Sequence, residues 1–207
     1  MISLDAAAQQ LRAVWRMAFT RDWEDTSRDW RETLDRSLDG VFQSFWAILF
    51  AAPIAFVGFI GVRRAAAQLQ PQEISPLLEL PMVVMMIIEY TAYLADWAAS
   101  IAVIVLIARM TKTTATISDT VICYNWAQVY AIGFQVFPIL LMMLTGSREL
   151  TSISALPILI MVLVLYWGLF RRAMGATPGI TIAIIIILTL VSVIVRAIVS
   201  SIVLYFF

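Results

Sequence analysis

Two acidic side chains, Glu89 and Asp96, lie inside the apolar run from Pro81 to Met110. That run is long enough to span a bilayer, which takes about 20 mostly apolar residues. An ionised carboxylate in hydrocarbon is costly, so each acid needs a partner, a wet cavity or a proton. Arg196 is a basic residue set deep in another apolar run, and Asn125 and Gln128 are amides set in a third. Glu89 and Asp96 share a helix face at i, i+7 spacing, and Asn125 and Gln128 are neighbours at i, i+3. Such a set can form a static intramembrane polar network or a relay for protons or ions.

Helix rise turns these positions into depths. Glu89 lies ~12 Å from the start of its span at Pro81, and Arg196 lies ~16 Å from Phe207. With the two spans antiparallel, these depths coincide and predict a Glu89/Arg196 pair. Asp96 lies ~16 Å from the opposite end near Ile107, and Asn125 and Gln128 reach ~8–12 Å from Thr120. Asp96 is therefore expected to meet the Asn125/Gln128 face, with its own span central between the third and the fifth. A relay generally asks for a series of titratable groups leading to both faces. This chain has no His, and Arg196 would keep Glu89 ionised. A structural role for the acids is the expectation, with transport as the alternative.

The elements that must position these residues are five apolar stretches, at about 41–62, 81–108, 120–145, 153–170 and 179–207. The chain is 62% hydrophobic and 14% charged, against about 45–50% and 25% in soluble domains. The expected fold is all-α, an integral membrane bundle of five transmembrane helices behind an amphipathic N-terminal segment, 1–40. Pro53 and Pro138 fall inside spans, where membrane helices tolerate them. Gly58 and Gly61 offer a small-residue surface for close helix contact.

Within 1–40, Leu4, Ala8, Leu11, Trp15 and Ala18 follow helical spacing, with Arg12 and Arg16 off the stripe. Such a helix lies in the membrane interface or packs on a partner protein. Arg21-Asp22-Trp23 recurs seven residues on as Arg28-Asp29-Trp30. Trp23 and Trp30 suit a headgroup-level aromatic belt, or a docking face together with Leu11 and Trp15. No cleavable signal peptide is expected, because the first apolar run follows a long charged segment.

The net charge is zero, so no bulk field favours nucleic acid. With no His and the single Cys123, a zinc or haem site lacks its ligands, and no metal or other cofactor is expected. The chain carries no catalytic triad, Gly-rich phosphate loop or GxSxG motif, so no catalytic residues are assigned. Basic residues set the orientation. Arg12, Arg16, Arg21, Arg28, Arg31, Arg36, Arg109, Lys112, Arg171 and Arg172 fall on one side, against Arg63, Arg64 and Arg148 on the other. The positive-inside rule then places the N-terminus in the cytoplasm and the C-terminus outside.

The layout, with Tyr124-Asn125-Trp126-Ala127 in the third span and Tyr166-Trp167 to Arg171-Arg172 closing the fourth, resembles the Yip-type five-span superfamily and its alphaproteobacterial members. The Asp-Leu-Tyr-Gly-Pro motif of eukaryotic members is absent, and Asp39-Gly40-Val41-Phe42 does not match it. The resemblance implies a membrane-embedded adaptor in a bacterial cytoplasmic membrane, C-terminus in the periplasm, without catalysis of its own. The expected function is a non-catalytic accessory, scaffold or assembly subunit whose partners are membrane lipids and other integral membrane subunits. A small proton- or ion-coupled transporter or channel subunit using Glu89 and Asp96, and a membrane-shaping protein, are the alternatives.

Overall fold

The computed structural model describes residues 3–19, 30, 32–66, 80–113 and 116–206, and for residues 66, 204 and 206 the backbone alone. Trp23 and most of the repeat around it lie outside the described residues. The helices are α1 (Leu4–Phe19), α2 (Leu38–Ser44), α3 (Ala47–Ala66), α4 (Met82–Met110), α5 (Ile117–Thr145), α6 (Arg148–Arg172) and α7 (Pro178–Phe206). No strand occurs among the described residues. Five segments are long and apolar enough to cross a membrane: Leu38–Ala65, Met82–Met110, Ile117–Thr145, Arg148–Arg172 and Pro178–Val203. The protein is an all-α, multi-pass membrane bundle.

Local chemistry explains where the helices begin and end. The Ser37 hydroxyl accepts the Gly40 N–H at 3.1 Å and caps α2. The helix α6 starts at Arg148, ahead of the expected 153, because Ser147 caps it by accepting the Leu150 N–H at 3.2 Å. Gly146, at φ 67°, closes α5 in the left-handed conformation that glycine adopts without strain. Pro178 opens α7, where its missing N–H is no loss. The first span is broken between α2 and α3, where Phe45 and Trp46 bond back three residues to Phe42 and Gln43.

The hub of the bundle is α5. Every residue from Asp119 to Ala127 is buried, and α5 packs on α1, α2, α3, α4 and α6. The expectation that the second span is central is therefore corrected: α4 packs chiefly on α7 and touches α5 more sparsely. The physical reason is residue size. A Cβ on Gly58 would meet Val136 Cγ2 at 2.6 Å, and one on Gly61 would meet Ile139. These glycines let α3 lie close against α5, whereas α4 has no comparable glycine surface.

The amphipathic α1 folds back onto its own bundle. Ala7, Ala13, Val14, Met17 and Ala18 are buried in the same core as the spans. A Cβ on Gly168 of α6 would lie 2.7 Å from the Ala18 Cα, so α1 and α6 are nearly in backbone contact. Arg172 donates to the Met17 carbonyl, and Tyr130 donates to the Leu11 carbonyl at 2.9 Å. A cation at a helix C-terminus satisfies the last carbonyls and the dipole together. The buried face is not the expected stripe: Leu4 and Trp15 are exposed and Leu11 is half-buried, whereas Ala7, Val14, Met17 and Ala18 face the bundle, where α1 packs on α5 and α6. Trp30 and Leu34 are also core residues. Trp30, expected in a belt or on a docking face, is corrected to an interior side chain. Trp15 stays 41% exposed, within an aromatic cluster with Phe19, Tyr130 and Phe134.

Candidate functional site

Two polar stripes face each other across the seam between α4 and α7. On α4, Glu89, Tyr93, Asp96 and Ser100 recur at i, i+4, i+7 and i+11, so they fall on one face. On α7, Thr189, Ser192 and Arg196 do the same at i, i+3 and i+7. The Arg196 Nη1 lies 3.5 Å from the Glu89 Oε2, and both side chains are partly exposed. One turn deeper, the Ser192 hydroxyl donates to the Asp96 Oδ1 at 2.8 Å.

Asp96 therefore does not meet Asn125 as expected. The Asn125 Oδ1 accepts the Trp97 indole N–H at 2.7 Å, and its amide donates to the Ser44 hydroxyl at 2.7 Å. Ser44 in turn donates to the Val41 carbonyl at 2.6 Å. The correction follows from helix rotation. Consecutive residues are turned by about 100°, so when Trp97 faces α5, Asp96 faces α7. Asn125 belongs to a buried, fully paired chain that ties α4 and α5 to the break after α2. Gln128, one turn further along α5, reaches the Tyr166 hydroxyl instead.

The stripes line a cavity of about 620 Å³ bounded by all five spans. It extends past Val62 near the end of α3, Met85 near the start of α4 and Ile139 in α5. Its other end stops at Ser100, Tyr124 and Ile185, beyond which Ile104, Ile122 and Ile184 are buried. Glu89, Asp96 and Arg196 are its charged lining residues.

Tyrosines form much of the polar wall. Tyr124 and Tyr166 stack with centroids 6.3 Å apart. Tyr93 stands edge-on to Trp97 at 5.3 Å and to Tyr90 at 6.5 Å. The Tyr93 hydroxyl is buried and has no hydrogen-bond partner, an arrangement that costs free energy. Sequence reasoning did not single out Tyr93 or Ser192, and took Tyr124 and Tyr166 only as part of a family resemblance. The signal was present as spacing: Tyr93 falls between Glu89 and Asp96, and Ser192 is one turn before Arg196.

Outside the cavity, the Arg36 Nε lies 2.6 Å from the Asp119 Oδ1, tying the segment before α2 to the first turn of α5. Asp35, next to it, accepts the Ser37 N–H at 3.0 Å, and hydrogen bonds from Ser37 hold its carboxyl below the usual carboxylate range. No group of three or more His, Cys, Asp and Glu that could hold a metal occurs among the described residues. Comparison with family models, with curated proteins and with solved structures returned no match.

Proposed function

We propose that this chain is a small carrier, or the carrier subunit of a membrane complex, whose solute site is the cavity between α4/α7 and α3/α5/α6. One observation carries the reading: both intramembrane acids line a single, partly open cavity of about 620 Å³ between the spans. Ligand cavities commonly span about 300–1,000 Å³ and pair apolar walls with a few convergent polar groups. An ionisable residue in a span is by default a functional candidate. The sparse contact of α4 with α5, beside its closer packing on α7, supports a seam along which one pair of helices rocks against the rest. A cavity lined to one end and closed at the other corresponds to one of the two access states that a carrier alternates between.

The cavity supports a transport role for Glu89 and Asp96 beside the expected structural one. In this reading the chain is non-catalytic and resides in a bacterial cytoplasmic membrane, N-terminus in the cytoplasm and C-terminus in the periplasm. The scaffold reading keeps one observation in its favour. Ile182, Ile186, Leu190, Val193 and Ile194 on α7 are exposed and could meet either lipid or another membrane subunit. The resemblance to Yip-type adaptors points the same way.

Purified protein in liposomes, assayed for solute-driven proton or ion flux, tests the carrier. Flux lost in Asp96→Asn with the protein still monodisperse supports it. Absence of flux, with a stoichiometric large membrane partner recovered in mild detergent, would favour the scaffold.

A further inference from the structure

We propose that the cavity recognises a hydrophobic organic monocation, with Asp96 as its counter-charge and Tyr93, Tyr124 and Tyr166 as its aromatic wall. The inference deepens the reading of the cavity as a solute site and rests on it. Charge balance is the first argument. Among the described residues, the charged lining residues are two carboxylates and one guanidinium. Arg196 lies 3.5 Å from Glu89, whereas the bond that Asp96 receives at 2.8 Å comes from a neutral hydroxyl, that of Ser192. One negative charge is left over in the middle of α4, and a carboxylate at that depth is stabilised by a counter-charge.

The wall supplies the second argument. Tyrosine faces attract a cation through their quadrupole, and the attraction strengthens when water is excluded. Tyr93, Tyr124 and Tyr166 all line the cavity. Size is the third. A cavity of about 620 Å³ is far larger than a metal ion needs, and no metal-ligating group occurs among the described residues. Phe56, Phe59 and Val162 add apolar surface, which suits a cation carrying hydrocarbon.

The test is equilibrium dialysis of radiolabelled tetraphenylphosphonium against the purified full chain in detergent, with empty micelles subtracted. The expected result is saturable binding of about one per chain that isosteric tetraphenylborate, an anion, does not compete for. Asp96→Asn, which keeps an acceptor for Ser192, is expected to weaken binding at least tenfold. Binding no greater than to empty micelles, equal competition by tetraphenylborate, or unchanged affinity in a folded Asp96→Asn overturns the proposal. The contrast between cation and anion needs no variant, so it decides even if Asp96→Asn does not fold. Binding of the cation without flux in liposomes would sink the carrier and leave this recognition standing. Flux of a neutral solute without cation binding would do the reverse.

Discussion

The Ser192 hydroxyl donates to the Asp96 carboxylate at 2.8 Å, joining α7 to α4 at the middle of the bundle. A neutral donor is a modest partner for an acid at that depth. Ser192→Ala is expected to lower stability by about 1–2 kcal/mol, because it removes a hydrogen bond to a charged group. Asp96→Asn retains an acceptor and should cost less than Ser192→Ala. Thermal unfolding of both variants in the same detergent checks the order; a larger loss for Asp96→Asn would contradict it.

The Glu89/Arg196 pair is a weaker tie. Its separation is 3.5 Å, and the side chains are 38% and 64% exposed. Exposed pairs contribute about 0–1 kcal/mol in water, and hydrocarbon around the pair raises the cost of a lone charge. A double-mutant cycle of Glu89→Gln and Arg196→Gln is expected to give a coupling below about 1 kcal/mol in detergent. The same cycle in bilayers should give a larger one. Equal coupling in both media would show that the pair meets water on either side.

Asn125 is the stability centre of the polar interior. Replacing it by Leu would strand the Trp97 indole N–H, held at 2.7 Å, and remove the bond that the Ser44 hydroxyl accepts at 2.7 Å while Ser44 keeps its own bond to the Val41 carbonyl. A stranded buried group costs about 1–3 kcal/mol and a lost hydrogen bond about 0.5–1.5 kcal/mol, so Asn125→Leu is expected to lose about 2–4 kcal/mol. That is more than any single change at Glu89 or Arg196 should cost. Denaturant titration followed by Trp fluorescence measures it.

Arg36 and Asp119 form the bundle's most closely spaced ion pair among the described residues, at 2.6 Å. The Asp119 side chain is 2% exposed and that of Arg36 51%. Arg36→Ala leaves a buried carboxylate without its cation and should cost about 1–3 kcal/mol. Adding Asp119→Asn to it should restore part of that loss. If the double variant is no more stable than Arg36→Ala, the pair is not what holds this corner.

The docking of α1 rests on a missing side chain. With the Ala18 Cα 2.7 Å from where a Gly168 Cβ would lie, Gly168→Val must push the helices apart. Trypsin should then cut at the exposed Arg12 and Arg16 at least severalfold faster, with α3 to α7 left intact. Cleavage at an unchanged rate would mean that α1 is held mainly by the Arg172 and Tyr130 hydrogen bonds.

The sequence by itself determined that the fold is all-α with five apolar spans, and how far along its span each polar group lies. Apolar length sets a span, and depth accumulates at about 1.5 Å per residue. For that reason the Glu89 and Arg196 depths could be matched by counting, and the structure places those two side chains within 3.5 Å. Direction around each axis is another matter. Whether Asp96 turns to α5 or α7 depends on how α4 is rotated and which helices flank it, and the counting does not contain that. Only the tertiary structure decided that Ser192 takes Asp96, that Trp97 takes Asn125 and that α5 is the hub. The same packing buried α1 on the bundle and opened the cavity, because a void belongs to the fit between helices and to no single helix.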